Sequence, residues 1–305
     1  MTEHESKPAE PGIRDSKSPQ PSSPQALPPA WQPLTFRGVA AFSQTRIGRV
    51  LLLQSLVALL AAMAVLWCLH STWFQRALEA IRALPVTGSI ENRVLISPRN
   101  SPEPLAVDGF LAISINLDQT AGRGSASDVR LEFHRTDYTV CSLLGCLKFD
   151  YPERPLPFNQ PDLEAWWGAW RWTIFVSVVS AAVAFLFVSW FFLATCYALP
   201  AWFIAYFKDR DLSLAGSWKL AAAALLTPAL FMAGFIVLYA LNAVDLVRLL
   251  VLWCLHVPLG WVYLYGALVR LPMTAQAADR KANPFGGPVE KKRDGESKNP
   301  FAGVG

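Results

Sequence analysis

Four stretches of this chain carry no Asp, Glu, Lys or Arg, and each is long enough to cross a bilayer as a helix. They lie between Arg49 and Arg76, Arg171 and Lys208, Lys219 and Asp245, and Arg248 and Arg270. A hydrocarbon core about 30 Å thick needs about 20 apolar residues in a helix, and a charge placed inside it is costly. Charged residues make up only 16% of the chain, against about 25% in soluble domains. The first stretch is separated from the others by a long polar segment. The spacing therefore predicts an α-helical integral membrane protein with four transmembrane helices. A small α+β extracytoplasmic domain is inserted between helices one and two.

The expected spans are 50–70, 170–199 with an apolar extension to 207, 220–241 and 249–269. The second apolar run is too long for one upright span and too short for two with a turn, so a tilted helix bent at Pro200 is expected. Pro228 and Pro258 should kink the third and fourth spans. Residues 71–165 form the inserted domain, and 35–49 read as a juxtamembrane, interfacial segment with Phe36, Val39, Phe42 and Ile47 at near-helical spacing. Residues 1–34 and 272–305, rich in Pro, Ser, Lys and Gly, read as disordered tails. The second tail repeats Asn-Pro-Phe at Asn283 and Asn299, either a docking motif or a chance duplication.

Charge placement sets the orientation. Arg37, Arg46 and Arg49 precede the first span, Lys208, Arg210 and Lys219 join the second to the third, and a basic tail follows Arg270. With four spans these fall on one side, which should be the cytoplasm. Both termini are then cytoplasmic. The first apolar run lies behind a long polar tail, so 50–69 reads as an uncleaved signal anchor. No basic run is extended enough for a nucleic-acid footprint.

Within the insert, Phe74, Leu78, Ile81 and Leu84 recur at helical steps until Pro85. Ile90–Ile96, Leu111–Leu117, Val129–Phe133 and Leu147–Tyr151 show the period-two alternation of half-buried strands. Gly122 and Gly124 mark a turn or loop.

Candidate chemistry is sparse. Cys141 and Cys146 flank a four-residue turn, can face each other across a hairpin, and would lie in a compartment that permits a disulfide. Free thiols are the other reading. His256 is the one ionisable residue inside an expected span, hence a functional candidate or a neutral imidazole bonded to a neighbouring helix. Asp118 and Thr120 follow the most regular strand and open a Gly/Ser loop, as a ligand or partner site or as ordinary turn chemistry. Cys68, Cys196 and Cys254 read as lipid-facing or packed small residues. Metalloprotease, nucleophile-elbow and phosphate-loop signatures are absent, so no enzyme activity, catalytic residue, metal or cofactor is expected.

Several short segments are similar to those of a known family: Ala83-Leu84-Pro85, Ile115-Asn-Leu-Asp118-Gln-Thr-Ala-Gly122, Ser217-Trp-Lys219-Leu-Ala and Leu225-Leu-Thr-Pro228. In these residues and in the order of its parts, the chain from about Phe36 to Leu271 resembles the bacterial membrane family known as domain-of-unknown-function family 1189. That family has one helix before an extracytoplasmic insert and three after it. The cysteine pair and both tails depart from its pattern. The resemblance implies a topology and no activity.

The resulting expectation is a non-enzymatic, multi-pass protein of the bacterial inner membrane. Its inserted domain would sense or bind an envelope protein or ligand, and its tails would meet cytoplasmic proteins. The alternative is a transporter or channel component using His256 and the kinked third and fourth helices.

Overall fold

The computed structural model describes residues 31–98, 103–118 and 126–282. Among the described residues four helices are long and apolar enough to span a membrane: Ile47–Ala83, Gln160–Phe207, Leu214–Ala240 and Leu246–Arg270. A sheet domain lies between the first and second. The readings for 1–30, Thr120, Gly122 and Gly124, and both Asn-Pro-Phe segments fall outside the described residues.

The first long helix is α2 (Ile47–Leu69), a π-helical turn (His70–Phe74) and α3 (Gln75–Ala83) without interruption. The apolar α2 thus passes directly into the amphipathic α3, as the spacing of Phe74, Leu78 and Ile81 suggests. The second, α4 (Gln160–Phe207), has 48 residues. At 1.5 Å per residue it is about 72 Å long, more than twice the thickness of a hydrocarbon core. Its N-terminal turns, capped by Asn159 accepting from Asp162 N at 3.0 Å, stand beside the sheet domain, where Arg82 of α3 pairs with Glu164 at 3.2 Å.

This corrects two expected boundaries. The helix begins at Gln160, inside the segment assigned to the domain, and it continues through Pro200 to Phe207. Proline removes one donor from the helix ladder but does not end a helix whose neighbouring residues stay bonded and packed. Here Ala198, Ala201 and Ala205 around Pro200 are all buried.

The third helix starts at Leu214, not 220, and is divided into α5 (Leu214–Ala224) and α6 (Leu226–Ala240). The break at Leu225 lies just before Pro228, whose missing N–H leaves the Ala224 carbonyl without its helical donor. The fourth is α7 (Leu246–Arg270), capped by Asp245 accepting from Arg248 N at 2.7 Å. It is followed by a short α8 (Ala275–Ala282) where a disordered tail was expected.

The interior of the bundle is built from small residues. Ala58, Ala194, Ala201 and Ala221–Ala224 are fully buried, which lets helix backbones approach closely. The segment 35–49 does not lie flat at an interface. Its helix α1 (Phe36–Ala41) and the 3₁₀ turn Phe42–Gln44 pack inside the bundle, with Val39, Ala40 and Phe42 wholly buried. Three bonds tie this part of the chain to the third and fourth helices. Thr227 donates to Pro33 O at 2.7 Å, Lys219 Nζ to Thr45 O at 2.7 Å, and Tyr263 to Leu34 O at 3.4 Å. The apolar spacing matches a helix only over 36–41, since Ile47 opens α2, and the small residues Gly38, Ala40 and Ala41 are buried as well.

The sheet domain holds β1 (Ser89–Glu91), β2 (Val94–Ile96), β3 (Glu103–Val107), β4 (Leu111–Ile115), β5 (Val129–Phe133), β6 (Asp137–Ser142), β7 (Gly145–Asp150) and β8 (Leu156–Pro157). The larger sheet has the order β3-β4-β5-β6-β7, with β4 and β5 parallel and the other neighbours antiparallel. A smaller sheet has the order β2-β1-β8. The run 90–96 is a hairpin, not one strand. Asn92 and Arg93 have φ of 49° and 65°, as a two-residue turn of the primed type requires. Ile90, Leu95, Leu105, Leu111, Ile113 and Ile115 form the core, with Ala80 and Leu84 at the C-terminal end of α3.

Candidate functional site: the junction between sheet domain and helices

The parallel strands β4 and β5 both begin at the end of the sheet that meets the long apolar helices. The residues just before them make the junction. Phe110, before β4, is buried in a cluster with Cys68 near the end of α2 and Tyr239 in the last turn of α6; Ile236, Ala240, Leu246 and Leu249 pack around it. The Phe110 and Tyr239 rings meet edge to face at 5.0 Å between centroids, a geometry in which edge and face charges attract. Asp128, before β5, accepts a hydrogen bond from the Tyr239 hydroxyl at 2.7 Å. A buried phenol seldom lacks a partner, and an ionised acceptor makes the stronger bond.

A second layer holds these residues in place. Asp128 N bonds Gly109 O at 2.9 Å, Val129 N bonds Phe110 O at 3.0 Å, and Ser127 donates to Asp108 O at 2.5 Å. Asp108 also accepts from Arg76 Nε at 2.7 Å, and Arg76 pairs with Glu79 at 2.6 Å. The loop before β4 is therefore fastened to α3 and to the neighbouring strand. Immediately below, the π turn carries Thr72, which is buried and donates to Cys68 O at 2.7 Å. π turns inside helices recur at functional positions.

Beside the Tyr239–Asp128 bond lies a crevice of about 330 Å³ lined by Asp128, Arg130, Cys141, Cys146, Leu246 and Val247, among others. It joins the β6–β7 hairpin to the first turn of α7. Cys141 and Cys146 are directly opposed in that hairpin and form a disulfide, with Cα atoms 4.0 Å apart. Arg130 Nε lies 3.1 Å from Glu132.

The other candidates from the sequence do not converge here. Asp118 follows the C-terminal end of β4, at the opposite end of the sheet, exposed and 3.7 Å from Arg135. His256 lies within α7, where Nδ1 pairs with the Trp253 carbonyl of its own helix rather than with a neighbour. Of the three other cysteines, Cys68 is buried at the junction while Cys196 and Cys254 are exposed. Among the described residues no group of three or more His, Cys, Asp or Glu is placed to hold a metal.

The residues that make the junction were not singled out from sequence. Tyr239 and Asp128 are 111 positions apart, and neither sits in a motif. The available signals were weak ones: a tyrosine closing an apolar run, and an aspartate immediately before an alternating strand.

Fold and junction together define a class: a helical protein with four membrane-length helices and a sheet domain seated on their ends. Within that class no family model, no curated protein and no solved structure matches this chain. The resemblance to family 1189 rests on the quoted residues alone.

Proposed function

We propose that this chain is a non-enzymatic, multi-pass protein of a bacterial inner membrane. Its termini are cytoplasmic, and its sheet domain lies outside, where it senses or binds an envelope component. The observation that carries this reading is the Tyr239–Asp128 bond, set against the Phe110 ring. It joins the start of a strand to the end of a membrane helix, so a change in the sheet domain has a direct mechanical route to α6 and α7. A two-state element biased from one side is the physical requirement for such transmission. The outward placement draws support from the basic residues clustered at the other ends of the helices and from the disulfide, which suits an oxidising compartment.

A transport path along the proline-containing helices finds less support. His256 is bonded within its own helix, and Pro228 lies in the first turn of α6, where proline is tolerated.

The test is amide hydrogen exchange on the full chain in nanodiscs, wild type against Asp128→Asn. Transmission through the junction requires faster exchange on both sides, at 126–130 and at 236–249. Acceleration confined to the sheet side would contradict it.

A further inference from the structure

The tip of the β6–β7 hairpin is apolar where a hairpin tip is normally polar. Ser142 pairs with Gly145, so Leu143 and Leu144 alone form the loop. Leu144 is 92% exposed, Leu143 54% and Leu147, on the outgoing strand, 66%. Turn geometry does not demand leucine. Gly145 takes the left-handed conformation, with φ of 121°, while Leu143 and Leu144 have φ values open to any residue. Polar residues are the usual occupants of two-residue loops in water, so this pair needs another explanation.

Position supplies it. The tip projects from the same end of the sheet that holds Phe110 and Asp128, toward the membrane helices. Leu143 shares the junction crevice with Leu246 and Val247, the first two residues of α7. Leu246 turns back onto the buried Phe110–Tyr239 cluster, while Val247 begins an exposed apolar surface that continues along α7 through Leu250 and Val251. The tip is thus continuous with a surface that faces lipid in any membrane-spanning arrangement of α7. The Cys141–Cys146 disulfide cross-links the two strands two residues behind the tip, which stiffens it as a finger. β7 is the outermost strand of its sheet, so the finger lies at the sheet's edge and not beneath it.

We infer that Leu143, Leu144 and Leu147 are seated in the interfacial layer of the bilayer leaflet next to the sheet domain, and that this lipid surface is what the sheet domain reads. Exposed leucines beside a membrane gain by leaving water, as the apolar faces of interfacial segments do. The sheet domain then has two footings: Phe110, Asp128 and Tyr239 on the helices, and the leucine finger on lipid. A change in leaflet packing moves the finger, and the crevice shared with Leu246 and Val247 carries the displacement to the start of α7. This inference rests on the sensing role proposed above and names its partner as the lipid surface.

The experiment places an environment-sensitive fluorescent amino acid at position 144 of the full chain. The protein is reconstituted in vesicles of phosphatidylethanolamine and phosphatidylglycerol, and a second sample carries the probe at position 147. No new thiol is introduced, so the disulfide is left intact. The inference expects blue-shifted emission, at least twofold quenching by lipids bearing a nitroxide near the headgroup, and little quenching by aqueous iodide. Iodide quenching with no effect of the nitroxide lipids would overturn it. Blue-shifted emission that ignores the nitroxide and rises with protein density would also overturn it, assigning the finger to a second copy of the chain. The probe reports where the finger sits and nothing about coupling. Its failure is therefore distinguishable from failure of the Asp128→Asn exchange test.

Discussion

Replacing Tyr239 by phenylalanine removes one oxygen atom and leaves the ring against Phe110. The lost interaction is the 2.7 Å hydrogen bond to Asp128. A hydrogen bond to a charged group is worth about 1.5–3 kcal/mol, and because Asp128 is only half-buried the lower end applies. At about 1.4 kcal/mol per factor of ten, Tyr239→Phe should raise the open population of the junction roughly tenfold. The readout is amide exchange at 126–130 and 236–249 in nanodiscs. Asp128→Asn keeps an acceptor oxygen but loses its charge, so it should cost less than Tyr239→Phe, and the double variant should be no worse than Tyr239→Phe alone, because the phenylalanine has already removed the bond. Tyr239→Ala should cost more, on the order of 3–5 kcal/mol, since it also empties the aromatic cluster. Exchange changed less than twofold by Tyr239→Phe, or additive effects of the two single variants, would refute the assignment of this bond as the link between domain and helices.

Three further perturbations test other parts of the structure. Gly38→Ala would place a Cβ 1.9 Å from the Gln32 carbonyl oxygen, whereas Gly48 has nothing within 4 Å. Gly38→Ala should loosen the buried segment 36–44 by about 1–3 kcal/mol, read as faster exchange there, while Gly48→Ala should leave it unchanged; equal effects would contradict the packing described. Burial pushes the Asp137 carboxyl up, but hydrogen bonds from Lys148 and Thr136 outweigh it and hold the group below its ordinary value of 3.8. A depressed folded-state pKa gives stability that is present above the unfolded value and lost as pH falls through the folded one. The sheet domain should therefore weaken only below about pH 4, and Asp137→Asn should flatten that dependence in exchange measured at His134 and Tyr138. An unchanged acid limb would count against it. Finally, replacing Cys141 and Cys146 together by serine opens a cross-link between residues five apart in sequence. Closing so short a loop is worth roughly 2 kcal/mol, so exchange at 140–147 should rise roughly thirtyfold. No change there would mean the hairpin is held by its strand pairing alone.

What was legible in the sequence follows the strength of the underlying physics. Charge is strongly excluded from hydrocarbon, so the gaps ending at Arg76, Lys208, Asp245 and Arg270 located all four long helices. Their ends were harder to read, because polar residues such as Asp162 and Glu164 fit equally well in a loop or in a helix standing above the membrane. The alternation Leu111–Ile113–Ile115 marked β4, since one face of that strand is core. β3 was hidden by Pro104, which is tolerated on an edge strand. β6 was hidden by its polar ends, Asp137 and Ser142, the first of which is buried through Lys148 and not through apolar contact. The hairpin at 90–96 was missed because apolar residues at 90, 94 and 96 match a strand as well as two short ones, and only the φ values of Asn92 and Arg93 separate them. The cysteine pair was recognisable from its spacing. The junction was not: Phe110, Asp128 and Tyr239 come from three distant parts of the chain, and only the sheet's register and the length of α6 bring them together.

A sensing role for the sheet domain requires it to lie outside the cytoplasm with its hairpin oxidised. The direct measurement is labelling of Cys141 and Cys146 in intact cells with a membrane-impermeant maleimide, with and without reductant, in a background where Cys196 and Cys254 are alanine. With the sheet domain outside and the disulfide formed, both cysteines are labelled in intact cells, and only after reduction. Labelling that requires a breached membrane, whether or not reductant is present, would place the sheet domain inside and contradict that role.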